Sequence, residues 1–169
     1  MNPLKETRLH TGLTQKNLAT NLGMTPHAIL RYEQGLYEDL SPTLADYTAQ
    51  VLELTPEATA QAYHDFQMAR RQESAQYFEP WPRLVMDPRV HPFVLFRNDI
   101  TMRAVGKKTR VGFCILLAMN PAVLIQYENG VKRNLTPVMG RALKQAFVSA
   151  QHLEDLDSYG EIWCDRHGC

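Results

Sequence analysis

Apolar residues along this chain recur at helical spacing in short runs, and glycine or proline falls between the runs. The first run, residues 4–10, reads as one helix. Thr14 then offers a side-chain oxygen to cap a second helix that turns Leu18, Ala19 and Leu22 inward, and Gly23 ends it. Thr25 caps a third helix with Pro26 at its favoured first position, running to Gln34 before Gly35 supplies a left-handed stop. Ser41 and Pro42 open a fourth in the same way. Residues 56–77, rich in Ala, Gln and charge, predict a longer helix of about 30 Å. Nothing alternates with the period of two that a strand requires, so the expected fold is all-α.

The pattern repeats. Displacing the chain against itself by 95 residues sets Leu22-Gly-Met-Thr-Pro26 on Leu117-Ala-Met-Asn-Pro121 and Arg31-Tyr-Glu-Gln-Gly35 on Gln126-Tyr-Glu-Asn-Gly130. At the same displacement Leu40-Ser-Pro42 meets Leu135-Thr-Pro137, Thr14 meets Thr109 and Arg8 meets Arg103. A unit seen twice indicates two copies of one small domain rather than a solenoid. The expected organisation is a first helix-turn-helix domain over residues 1–55 and a helical, then Pro-rich linker over 56–90. A second, basic helix-turn-helix-like domain follows over 91–152, then an acidic tail over 153–169. Within the linker, Phe78-Glu-Pro-Trp-Pro82 and Asp87-Pro88 forbid a continuing helix, and Trp81, Val85 and Met86 are expected to cover apolar surface. The linker helix is close to one turn of B-DNA in length, about 34 to 36 Å, unless it packs on one of the domains.

Two helices joined by a tight turn, the second opened by a polar cap, form the geometry that delivers a helix to the major groove. Through Leu13-Thr-Gln-Lys-Asn-Leu-Ala19, Leu22-Gly-Met-Thr-Pro26 and Tyr32-Glu-Gln-Gly35, the first 52 residues resemble the Cro/XRE-like helix-turn-helix family of phage-type transcriptional repressors. The second copy departs from that pattern at Val111-Gly-Phe-Cys114, where the family has a polar helix start.

The resemblance implies that Gln15 and Lys16 hold the DNA backbone while Thr25, His27, Ala28 and Arg31 face the groove. Arg31 suits guanine O6 and N7, and Ala28 suits a thymine methyl. The matching positions of the second copy are Asn120, Ala122, Val123 and Gln126. Lys107, Lys108, Thr109 and Arg110 stand before its second helix, and Lys132 and Arg133 follow its third. Asn120 or Gln126 can pair with adenine, and Ala122 and Val123 form an apolar face that suits a protein partner equally well. The resemblance also implies that Arg8 with Glu33, and Arg103 with Glu128, bridge first and third helices, and that Tyr32 and Tyr127 pack the cores.

Charge changes this picture through its distribution, because the net formal charge is zero. Between Arg97 and His152 there are nine Lys or Arg against two acids, a credible polyanion binder. Residues 1–52 carry four bases against five acids, so recognition there must be selective rather than bulk-electrostatic. The last seventeen residues hold five acids against Arg166 and read as a free, solvated acidic end, with shielding of the basic domain or contact with a partner as the alternatives. Residues 111–125 are too short and too interrupted to span a bilayer, and three cysteines do not suit a disulfide framework. A cytoplasmic protein without membrane contact is expected. Cys164, His167 and Cys169 lack a fourth metal ligand, and the sequence contains no phosphate-cradling loop or nucleophile with a base. Neither cofactor, metal, small-molecule substrate nor enzymatic activity is therefore expected. The expected partner is double-stranded DNA, bound by a homodimer or by a monomer with two contacts. The competing expectation is an adaptor, antitoxin or anti-repressor in which one copy binds a protein.

Overall fold

A computed structural model of the 169-residue chain describes residues 1–78, 89–145 and 150–168. Among these there are ten α-helices, one 3-10 turn and no strand, so the all-α expectation holds. The chain divides into two compact units, Met1–Ala69 and Arg70–Cys169.

In the first unit, α1 (Pro3–His10) is capped by Asn2, whose Oδ1 accepts from the amides of Leu4 (2.9 Å) and Lys5 (3.3 Å). The same side chain donates from Nδ2 to the Tyr32 carbonyl (2.9 Å), which explains why an asparagine is buried there. Helices α2 (Gln15–Asn21), α3 (Pro26–Glu33) and α4 (Pro42–Leu52) open on the side chains of Thr14, Thr25 and Ser41. Leu4, Leu18, Ala19, Ile29, Leu40, Leu44, Ala45 and Tyr63 form the core, flanked by the partly buried Leu13, Leu22, Met24, Tyr32 and Tyr47. Tyr32 also lies against Tyr37, ring centroids 4.3 Å apart.

The expected linker helix is α5 (Pro56–Ser74), and its first four turns belong to the first unit rather than bridging free space. One face of it is buried and polar: Thr59, Tyr63, Gln67, Arg71 and Ser74, at steps of four or three residues. The Tyr63 hydroxyl donates to the Tyr37 carbonyl (3.1 Å), and the Gln67 amide donates to the carbonyls of Gly35 (2.9 Å) and Tyr37 (2.6 Å). These carbonyls lie just past the end of α3, where intrahelical donors have run out. Burial raises the Tyr63 phenol well above its ordinary range.

The second unit starts within the last turn of α5. Arg71 donates from Nε to the Leu117 carbonyl (2.7 Å), from Nη2 to that of Ala118 (3.0 Å), and from Nη1 to Gln145 Oε1. Ser74 donates to the Leu116 carbonyl at 2.7 Å. After a 3-10 turn (Ala75–Tyr77) come α6 (Pro92–Val105), α7 (Arg110–Leu116), α8 (Pro121–Glu128), α9 (Pro137–Gln145) and α10 (Ala150–His167). The expected Pro-rich connector lies outside the described residues from 79 to 88, with Trp81, Val85 and Met86. Phe78, Phe93, Phe96, Phe113 and Tyr127 make an aromatic core whose rings meet edge to face or tilted, Phe93 and Phe113 at 5.7 Å and 90°.

Residues 153–169, expected as a free acidic tail, instead supply most of α10. Leu153, Leu156, Gly160 and Cys164 recur every three or four residues and are buried, so the helix docks by an apolar stripe and keeps its acids on other faces. Tyr127 donates to the Leu156 carbonyl (3.3 Å), and burial pushes its phenol far up.

Candidate nucleic-acid interface

Both units build the same turn between their second and third helices. The Met24 amide returns to the Ala19 carbonyl (2.8 Å) across Gly23, whose φ is +65°, and the Met119 amide returns to the Cys114 carbonyl (3.0 Å) across Ala118. Ala118 holds φ at +46° without being glycine, so the turn geometry persists even where the residue best suited to it has been replaced. A polar cap then opens each third helix: Thr25 Oγ1 accepts from the Ala28 amide (3.2 Å), and Asn120 Oδ1 from the Ala122 amide (3.0 Å).

A second shared feature sits beneath these turns. Gln15, the first residue of α2, donates to Glu33 Oε2 at 2.7 Å; Arg110, the first residue of α7, donates to Glu128 Oε2 at 2.8 Å. The glutamates are buried, and each also holds an arginine of the first helix of its unit, Arg8 (2.5 Å) and Arg97 (2.5 Å). Thus the start of the second helix, the end of the third and the first helix are fixed on one carboxylate.

The arginine expected to meet Glu128 was Arg103, and here the structure corrects the sequence reading. Arg103 instead pairs with Asp99 one turn back (2.5 Å) and donates to the Tyr77 carbonyl (3.3 Å). A slip in the repeat removes Arg103 as the counterpart of Arg8 without pointing to Arg97, which falls on Pro3. One residue separates Gly12 (φ +65°) from Thr14, but two separate Gly106 (φ +69°) from Thr109. The displacement of 95 therefore applies only from the second helix onward. In the first helix it is 94, which sets Thr7 on Thr101, each donating to the carbonyl four residues back.

Lys16, Thr25 and His27 of the first unit are exposed, Ala28 and Arg31 half-buried, and the Arg31 guanidinium lies 5.4 Å from the centroid of the Tyr37 ring. Gln15 is half-buried with its amide turned inward to Glu33, so its side chain is committed to the fold and its place at the helix start is what it can offer a phosphate. In the second unit Lys107, Lys108, Ala122, Gln126 and Lys132 are exposed, and Thr109, Asn120 and Val123 half-buried. Thr109 caps α7 (Gly112 amide to Oγ1, 3.3 Å), and its own amide donates to Thr101 (3.3 Å). Arg110 shows 41% of its side chain to solvent while Nε stays on Glu128. Exposed Val111, Ile125 and Val131 give this unit an apolar admixture around its basic residues.

Sequence reasoning missed the surroundings of Arg133. Asp157, Glu161 and Asp165 occur at four-residue intervals on α10, and they hold three consecutive residues of the segment after α8. Asp157 Oδ1 accepts from the Leu135 amide (2.5 Å), Glu161 Oε1 from Asn134 Nδ2 (2.8 Å), and Asp165 Oδ1 from Arg133 Nη2. Burial, with the charge of Glu161 adding to it, raises the Asp157 carboxyl above its ordinary range against the opposing Leu135 bond. The spacing 157, 161, 165 was legible in the sequence; that it faces residues 133–135 was not. Among the described residues no cluster of three His, Cys, Asp or Glu could hold a metal ion, and no helix is long and apolar enough to cross a membrane. No protein-family model, curated protein or solved structure matches the chain.

Proposed function

We propose that this chain is a sequence-specific double-stranded DNA-binding regulator, a cytoplasmic repressor of phage or mobile-element type that occupies an operator and blocks polymerase. The observation that carries the reading is the duplicated frame in which one buried glutamate fixes the start of the second helix to the end of the third (Gln15–Glu33, 2.7 Å; Arg110–Glu128, 2.8 Å). That frame leaves Thr25 and His27 at the start of α3, and Ala122 in the first and Gln126 in the second turn of α8, on the surface, where base edges would meet them. Lys16 in the first unit, and Lys107, Lys108 and Lys132 in the second, are exposed cations of the kind that neutralise phosphates.

A second reading has its own support. Ile125 and Val131 are 37% and 69% exposed in and after α8, and such side chains favour a protein partner at the second unit, as in an adaptor or anti-repressor. Selection of bound duplexes from a random library, with the intact protein and with Arg31→Ala and Gln126→Ala, separates the two. Two sub-motifs, each blurred by one variant, are expected for a regulator that reads with both units. A single motif sensitive only to Arg31→Ala assigns the second unit to a protein partner, and absence of any enrichment overturns the DNA reading.

A further inference from the structure

We propose that α10 is a built-in competitor for DNA, with the Asp165 carboxylate occupying the Arg133 guanidinium in the place of a backbone phosphate. This rests on the duplex-binding reading above. Arg133 stands five residues beyond the last residue of α8, in the segment that would follow a reading helix along the DNA backbone, and Lys132 beside it is exposed. A phosphate and a carboxylate satisfy a guanidinium in the same way, through a charge-assisted bond to an anionic oxygen, so they exclude each other at one nitrogen edge.

The acid is delivered there by construction. Leu153, Leu156 and Cys164 anchor α10 in the core of the unit, against α6 and α9, and a Cβ on Gly160 would come within 2.7 Å of the Tyr127 hydroxyl, which reaches it from α8. With the helix fixed, the bonds from Leu135 to Asp157 and from Asn134 to Glu161 hold the segment, and Asp165 is the next carboxylate along the row. The pair it makes lies at the exposed end of that row and can open. Its side chains are 50% and 70% exposed, whereas the Leu135–Asp157 bond is partly buried. Farther along, Glu154 and Asp157 line a cleft between α9 and α10 opposite Arg141 and Lys144. The acids of α10 are therefore set against the basic residues of their own unit.

The test measures affinity of the full chain for a random-sequence duplex of about two helical turns by fluorescence anisotropy, between about 50 and 200 mM salt. Asp165→Asn is expected to tighten binding about two- to fivefold, the range of an exposed ion pair. It should also steepen the slope of log K against log salt by about 0.9, the value of one additional neutralised phosphate. Asp155→Asn removes the same charge from the same helix at a carboxylate that accepts from Gln151 (3.0 Å), and is expected to leave the slope unchanged. In an Arg133→Gln background the effect of Asp165→Asn should vanish, with circular dichroism confirming that each variant is folded. If Asp165→Asn behaves as Asp155→Asn does, or weakens binding, the competitor is overturned while duplex binding stands. If neither the unaltered chain nor any variant binds duplex, the functional reading fails and the competitor with it.

Discussion

Glu128 joins three helices of the second unit through one buried carboxylate. Its carboxylate is 1% exposed and serves both Arg97, itself 9% exposed, and Arg110. Removing it strands a buried cation, so Glu128→Gln is expected to destabilise the unit by about 3–5 kcal/mol. Glu33→Gln should cost its unit less, because Arg8 keeps its bond to the Leu13 carbonyl and Gln15 is neutral. Trp163 lies on α10 of the second unit, so urea denaturation followed by tryptophan fluorescence in a Trp81→Phe background reads that unit. His91 sets a pH limit on the same unit. Its Nδ1 accepts from the Phe93 amide (3.2 Å), which caps α6, while the ring lies edge-on to Tyr127 (4.9 Å) and Trp163 (5.1 Å), the latter stacked on His167. Burial lowers the imidazole pKa below its ordinary value, against the pull of Glu128. A base with a lowered folded pKa gives stability that is complete above the unfolded value, about 6.5, and is lost as pH falls below it. His91→Asn retains a cap acceptor without a titrating ring, and should flatten the decline of Tm between about pH 6.5 and the folded pKa relative to the unaltered chain. The three threonine and serine caps of the first unit were legible in the sequence because they act within their own helices, whereas the Arg8–Glu33 pair was expected only from the family resemblance, its partners lying 25 residues apart. Arg97 was not legible, because even with the additional residue before Thr109 taken into account Arg8 falls on Met102, and Arg97 occupies the place of Pro3.

Among the elements, α5 and α10 departed most from the sequence reading, and for the same reason. Each packs through a stripe that looks solvated when counted by composition: Thr59, Tyr63 and Gln67 in α5, and a few apolar residues among acids in α10. Composition decides poorly for such helices, because a polar face is buried whenever orphan carbonyls lie opposite it. Helices α2 to α4 were legible down to their caps, since each cap is a hydrogen bond spanning three residues, whereas the Asn2 cap of α1 was not foreseen. The close approach of the Tyr127 hydroxyl to Gly160 of α10 gives a direct check. Gly160→Ala adds a methyl 2.7 Å from a tyrosine hydroxyl that is buried and bonded to Leu156, a collision that typically costs about 1–3 kcal/mol. The helical preference for alanine offsets about 1 kcal/mol of it. A net loss in the urea midpoint followed by tryptophan fluorescence is therefore expected, and a gain would mean that Tyr127 moves freely.

For the whole molecule, zero net charge conceals a division between the units. Residues 1–69 carry four Lys or Arg against eight acids, and residues 70–169 fourteen against ten. If both units address DNA, they must do so with different physics: the acidic first unit through base edges, the basic second unit through phosphates. Replacing Lys107 and Lys108 together by Gln is expected to reduce the salt slope by about 0.9 for each phosphate that is no longer neutralised, with little change in the preferred sequence. Arg31→Ala should instead cost about 1–3 kcal/mol at one base pair and relax preference there. Anisotropy titrations on matched and mismatched duplexes distinguish the two. The polar stripe of α5 also determines where the gene can be divided. A fragment cut after Leu52, where four helices already look finished, is deprived of Tyr63 in its core and leaves the Gly35 and Tyr37 carbonyls without Gln67, while a fragment starting after Ser74 deprives Leu116, Leu117 and Ala118 of their donors. Both cuts invite aggregation during expression, and fragments designed to be soluble should keep α5 intact on whichever half is made.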